Sequence, residues 1–305
     1  MIEADHNVRA GPFPPPPRFV RFTAAPAAAG RTGGGDALRI VLSRKGMDSV
    51  AGGMPSPVLA GRPVPLPIPA GRWPAPDVTT YADVGLGPLV ERLSKGRVPA
   101  ATPCHLDPDI DPARLPRAPG WRGAFGQCAA AQGHLDRHGV GPGDLFLFFG
   151  LYRDAEETPA GEVRFRGPRR HLVYGWLQVA EVLRAGDPFP GWLAYHPHAR
   201  GGWPANNTVY VARERLTFAD LPGHGALPAG HRLTAEAAPN PSLWRVPAWL
   251  DPTAGGVGMT FNRPEWWTGD GLLRASGRGQ EFVADIGGRS DALEWAAAVL
   301  RAGGA

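Results

Sequence analysis

Two short, wholly apolar runs dominate the middle of the chain. Leu145-Phe146-Leu147-Phe148-Phe149 follows the turn Val140-Gly141-Pro142-Gly143-Asp144, and Leu172-Val173-Tyr174-Gly175-Trp176-Leu177-Gln178-Val179 returns after a polar stretch. Both are rich in β-formers and bounded by turn residues, which predicts two buried strands rather than helices. Further strands are expected at 37–42, 207–212, 232–234, 272–276 and 280–285. The segment 64–68 alternates with proline and reads as an edge strand or a polyproline stretch, and 244–250 as a Trp-rich strand or turn. Helical spacing predicts helices at 81–95 and 124–138. The second would share one face among Phe125, Cys128, Ala129, Gln132 and Leu135, and Gly139 would end it. A short helix is expected at 189–195. The last helix is expected at 290–301, with Ser290 as its N-cap and Leu293, Ala297 and Leu300 facing inward.

Composition refines this picture. The chain has 305 residues, with 42 Gly and 35 Pro, yet also 10 Trp and 12 Phe. That much glycine and proline suggests loops, while the aromatics argue against general disorder. Residues 1–36, with a polyproline run, an Ala-rich stretch and Gly33 to Gly35, read as a disordered tail, and 37–302 as one folded domain. The net charge of +4 is carried almost wholly by arginine, Lys45 and Lys95 being the only lysines. A GC-rich coding sequence explains that bias as well as phosphate recognition does. Cys104 and Cys128 cannot build a disulfide framework or a Cys-only zinc site. No apolar run reaches the roughly 20 residues that span a bilayer, so no membrane partner and a cytoplasmic location are expected.

Several polar strings offer chemistry. Ser43-Arg44-Lys45-Gly46-Met47-Asp48-Ser49 packs two cations, a carboxylate and two hydroxyls into one loop after a strand. Such a loop can grip a phosphate, or be a solvated turn in which Asp48 caps a helix or pairs with Arg44. It is not a Walker loop. On an extended segment, alternation would put His105, Asp107 and Asp109 on one side. They could then hold a divalent metal or supply a base, although Asp-Pro is also a routine turn opener. Gln127 and Gln132 can read a base edge or satisfy a core bond. Trp176, beside Gly175, is the better stacking candidate among the strand aromatics, and Phe146 and Phe148 are assigned to the core. Asn207 precedes a strand and can read a base or hold a turn. Arg278, between two glycines, and Gln280 are candidate phosphate and base contacts. Glu281 is a candidate acid or base, or the ion-pair partner of Arg278. His196-Pro197-His198 reads as a surface loop, because the proline breaks helical spacing. No nucleophile elbow, zinc-protease or dinucleotide motif is present, and the sequence names no cofactor or particular metal.

The turn, the buried strand, the long loop and the returning Gly-Trp strand resemble small barrels of the PUA-like kind. That resemblance implies an α+β fold: one loop-rich domain with a PUA-like mixed β-barrel core and peripheral helices. An ordered series of unusual strings also resembles the family called nucleotide modification associated domain 3. The strings are Ile40-Val41-Leu42 with Ser43-Arg44-Lys45-Gly46, Pro55-Ser56-Pro57, His105-Leu106-Asp107-Pro108-Asp109, Gly126-Gln127, Gly141-Pro142-Gly143-Asp144, Gly175-Trp176-Leu177-Gln178, Asn206-Asn207-Thr208, Ser242-Leu243-Trp244 and Gly277-Arg278-Gly279-Gln280-Glu281-Phe282. They span roughly residues 38 to 286. The resemblance implies association with systems that modify bases in DNA, with nucleic acid or nucleotides and DNA-modification enzymes as partners. Two functions stay open: a nucleotide- or modified-base-binding module, ranked first because no catalytic signature is complete, and a hydrolase or transferase acting on nucleotides or DNA bases.

Overall fold

The computed structural model describes residues 38–70 and 78–302. The expected tail at 1–36 lies outside them. In chain order the elements are β1 (Leu38–Arg44), β2 (Ser56–Leu59), β3 (Arg62–Pro63), β4 (Ile68–Pro69), α1 (Gly87–Ser94), β5 (Cys104–His105), β6 (Ala124–Gln127), α2 (Ala129–Arg137), β7 (Leu145–Glu157) and β8 (Val163–Arg184). They continue with β9 (Thr208–Ala212), β10 (His224–Arg232), β11 (Leu243–Arg245), β12 (Leu272–Arg274), β13 (Glu281–Gly287) and α3 (Ser290–Ala302). The fold is α+β and mostly sheet, with three α-helices among the described residues.

The two apolar runs form the spine, β7 paired antiparallel with β8. The main sheet runs β13-β1-β7-β8-β9-β6, with β10 added to β8 and β2 to β7. β1 is parallel to β7 and antiparallel to β13. The run in β7 is apolar on consecutive residues because both faces of the sheet are covered. Leu145, Leu147 and Phe149 join Ile40, Leu42, Phe282, Trp244 and the α3 residues Ala292, Ala296 and Leu300 on one face. Phe146 and Phe148 join Val41, Val283, Phe125, Leu135 and Tyr210 on the other. Each strand thus divides its alternate side chains between two cores.

β6 and β13 lie at the two ends of the main path, and no ladder joins them. They nevertheless come together through side chains. Phe125 of β6 sets its ring against Phe146 and Phe148 of β7 at 5.0 and 5.2 Å. Gln127 of β6 donates from Nε2 to Glu281 of β13 at 2.7 Å. The sheet curls without closing, so the PUA-like barrel expected from the sequence is not found among the described residues.

Two helical expectations are corrected. The first four residues of the stretch 124–138 are strand β6, antiparallel to β9 from Ala124 with Val211 to Gln127 with Thr208. Cys128 is fully extended, and the helix begins at Ala129. Phe125 does face the core, but from a strand, because sheet pairing overrides local helical spacing. In 81–95 only Gly87–Ser94 is helical. Pro88 can occupy only the first turn of a helix, and Gly85 takes φ +69° just before it.

Gly175 on β8 shows how tightly the second face is filled. A Cβ there would lie 2.2 Å from Ile110 Cδ1 and 2.8 Å from the Gly225 carbonyl oxygen. Gly175→Ala should lower stability by about 1–3 kcal/mol through overpacking; an unchanged midpoint in chemical denaturation would contradict this account.

Candidate functional site

The loop after β1 carries Lys45 back over the second core. Its Nζ lies 2.8 Å from Glu281 Oε1 and 4.4 Å from the centre of the Phe125 ring. Glu281 is 1% exposed. Its Oε1 also accepts from Gln127, while its Oε2 and the buried hydroxyl of Ser43 have no hydrogen-bond partner among the described residues. Ser43 is paired directly with Glu281 in the β1–β13 register. Lysine is the cation here because its flexible stem can lay an ammonium over an aromatic face. A carboxylate this deep must be paired. The expected partner, Arg278, stands instead on the exposed turn before β13, beside exposed Gln280.

One residue earlier on β6, a second polar group begins. The backbone N–H of Gly126 donates to Asp107 Oδ1 at 2.7 Å. His105, Asp107 and His198 each bring a potential ligand atom into one cluster, all within 4.8 Å of one another. His196 joins them, its Nε2 3.4 Å from Asp107 Oδ1, and its side chain is fully buried. His196 caps a single 3₁₀ turn, Pro197–Ala199, and His198 sits within it. The proline that argued against a pair on sequence builds the turn that makes one. Gly126 makes the approach possible: a Cβ there would sit 2.1 Å from the His198 ring. Trp203 stacks on the outer face of His198, centroids 4.2 Å apart and rings 10° from parallel.

Hydrogen bonds fix the protons on both imidazoles. Asn207 Nδ2 donates to the His198 carbonyl at 2.7 Å, so its Oδ1 faces His198 Nδ1 at 2.6 Å and accepts from it. His198 Nε2 is therefore the lone pair, 4.0 Å from Asp107 Oδ2. The His198 N–H donates to His196 Nδ1 at 3.2 Å, which leaves the proton of neutral His196 on Nε2, facing Asp107. Burial drives His198 down to about 4, with Asp107 opposing the shift. Burial alone would raise the Asp107 carboxyl. The contact with His196 and the positive potentials of His198, His196 and His105 outweigh it and take the group to about 2. At neutral pH the site is a carboxylate beside a neutral His198.

The two groups are neighbours, supplied by consecutive residues of β6. Cys128 feels both: burial raises its thiol, the charge of Asp107 adds to that, and Lys45 opposes it. Asp107 also lines a cavity of about 300 Å³, together with Gly46, Leu66, Ile110, Arg114 and Tyr174. That volume is at the small end of ligand pockets.

The other expected residues do not join this group. Asp109 lines the same cavity as Asp107, but its carboxylate is already engaged. Both of its oxygens accept from Arg117, and Tyr195 also donates to it; its backbone is bridged to Ala124. Gln132 points into the core, bonded to Tyr210 and Asp136. Trp176 is 7% exposed and packs on Gly225, its indole N–H donating to the Pro222 carbonyl. The close approach at Gly175 is made by Ile110, not by an open cleft. Asp48 neither caps a helix nor bonds Arg44; it accepts from the amides of Val50 and Ala51. Arg44 donates to the carbonyls of Ser276 and Gly277. Arg44, Lys45, Asp48, Ser49, Arg169 and His171 line a separate groove of about 220 Å³.

A family model described as nucleotide modification associated domain 3 matches residues 39–285. The chain belongs to that family. No match was found among curated proteins or solved structures. No helix among the described residues of this nucleotide modification associated domain is long and apolar enough to cross a membrane.

Two outcomes follow for the domain. Lys45→Met strands the buried Glu281 carboxylate and should cost about 3–5 kcal/mol, much of it recovered when Glu281→Gln is added; urea denaturation of the three proteins checks this, and independent, additive losses would refute the pairing. His134, His138, His171, His198, His224 and His231 are all lowered from 6.5, burial being the largest cause in each. The unfolded chain then binds more protons than the folded one between about pH 6.5 and 4, so stability rises with pH across that window. Asp107 contributes with the same sign, but only below its unfolded value, between about 3.8 and 2. Denaturation midpoints should fall steadily from pH 7 to 4.5, by at most about 1.4 kcal/mol per histidine per unit; a flat profile would refute the neutral buried imidazoles.

Proposed function

We propose that this domain is an enzyme acting on a nucleotide or nucleobase within a cytoplasmic DNA-modification system. One observation carries the reading. Strings scattered along the sequence supply Lys45, His105, Asp107, Gln127, Asn207 and Glu281, and these meet around the end of β6 beside the 300 Å³ cavity. Buried carboxylates, imidazoles and a lysine in one place are the material of acid–base chemistry. In this reading Asp107 and His198 do the chemistry, the Lys45–Glu281 pair sets the local field, and the cavity receives the base or sugar. Nucleic acid and DNA-modification enzymes are the partners this implies.

A binding role without chemistry has one observation of its own. The groove at Arg44, Asp48, Ser49 and Arg169 gathers two guanidinium groups and a hydroxyl around one carboxylate, and the guanidinium groups are suited to a phosphate. Arg278 and Gln280, on the turn whose Ser276 and Gly277 carbonyls accept from Arg44, would extend such a surface.

The test is to incubate the full chain with nucleotides and short DNA duplexes in the presence of divalent ions and to follow products by mass spectrometry. Turnover that Asp107→Asn reduces by at least about 100-fold supports the enzyme. Salt-dependent binding without turnover, weakened by Arg169→Ala, supports the binding module. Neither turnover nor binding removes both.

A further inference from the structure

We propose that His105, Asp107 and His198 bind one divalent first-row transition-metal ion, with His196 and Asn207 as the outer residues that orient the ligands. The argument begins with a mismatch. Asn207 holds His198 at Nδ1 and turns its other ring nitrogen, Nε2, toward the Asp107 Oδ2 atom 4.0 Å away, too far for a hydrogen bond. Two buried ligand atoms held at that distance do not satisfy each other. A cation removes the mismatch. His105 brings a second imidazole to the same cluster.

The second observation is independent. His196 is fully buried and its Nε2 has no well-formed hydrogen bond, yet it aims at Asp107 Oδ1 from 3.4 Å. Asp107 Oδ1 already accepts from the Gly126 amide. One carboxylate oxygen is thus held by the protein while Oδ2 stays turned to the imidazoles. This is the arrangement of a metal ligand braced from its outer side: His198 donates its other ring N–H to Asn207, and the carboxylate is itself hydrogen-bonded.

Two imidazoles and one carboxylate are a donor set for iron, manganese or zinc rather than for magnesium or calcium, which prefer oxygen throughout. Three protein ligands leave positions for water and a substrate atom, the ligand count of a catalytic centre. Bonds of about 2.0–2.2 Å would put ligand atoms roughly 3–3.5 Å apart, against a spread of up to 4.8 Å. Side-chain rotations of about an ångström close that difference. The ion deepens the proposed function and rests on it for its purpose, but not for its binding.

Chelator-stripped full-length protein, dialysed separately against Zn(II), Mn(II) and anaerobic Fe(II), should take up about one equivalent of at least one of them. His198→Ala and His105→Ala should abolish that uptake, and Asn207→Ala should weaken it about 10–100-fold. X-ray absorption of the loaded wild type needs no variant and should show two imidazoles in the first shell. Trp203 adds a local signal: Co(II) should quench part of the tryptophan emission, and Trp203→Phe should remove that part. Uptake unchanged in folded His198→Ala, a sulfur ligand in the absorption spectrum, or no uptake by the wild type would overturn the site. One bound ion with no turnover of any nucleotide would leave the metal standing and sink the enzyme. Turnover in stripped protein that takes up no ion would do the reverse.

Discussion

The architecture turns on a carboxylate that cannot be left alone. Glu281 has almost no contact with solvent, and an ion so placed is tolerated only with its countercharge beside it. Lys45 supplies that charge from the loop after β1, and Gln127 adds a hydrogen bond from β6. Three segments far apart in sequence are thereby tied at one atom. The contact also spans the two ends of the curled sheet, where backbone pairing stops. Side-chain electrostatics therefore completes what the strand ladder leaves open, and it does so beside the cluster of His105, Asp107 and His198.

The histidine–aspartate group depends on the same edge. β6 alternates its side chains like any strand, so Phe125 and Gln127 enter the second core while Gly126 turns its bare α-carbon the other way. The 3₁₀ turn bearing His196 and His198 settles against that bare spot. Asn207, at the start of the neighbouring strand β9, then sets the His198 ring. Sheet, turn and the histidine–aspartate group are thereby held together through backbone contacts as well as side chains.

Much of this was legible in residues that report on burial. The runs Leu145–Phe149 and Leu172–Val179 could only be strands covered on both sides, and β1, β9, β13 and α3 follow from equally plain patterns. The polar strings holding Lys45, His105, Asp107, Asn207 and Glu281 stood out as candidates, but nothing local said that they converge. The failures have physical causes. Helical spacing in 124–138 could not reveal that β9 would capture its first four residues. Alternation placed Asp109 beside His105 and Asp107, but Arg117 engages it as a bidentate partner. Trp176 beside a glycine suggested an open platform, whereas the space is filled by the protein's own side chains. His196 and His198 were missed because proline forbids helical ligand spacing, while a 3₁₀ turn gives two imidazoles a common direction without it. A His-x-His bracket on a turn, with a His-x-Asp elsewhere, was the signal available.

Position 126 has a consequence for how such a domain can diversify. Its amide holds the carboxylate and its missing side chain admits the imidazole, so a single α-carbon sets the spacing between Asp107 and His198. Any side chain there would run into the His198 ring, and Phe125 beside it belongs to the aromatic core, so the position is closed to everything but glycine. Variety on this scaffold would have to come from the residues around that strand edge rather than from the edge itself.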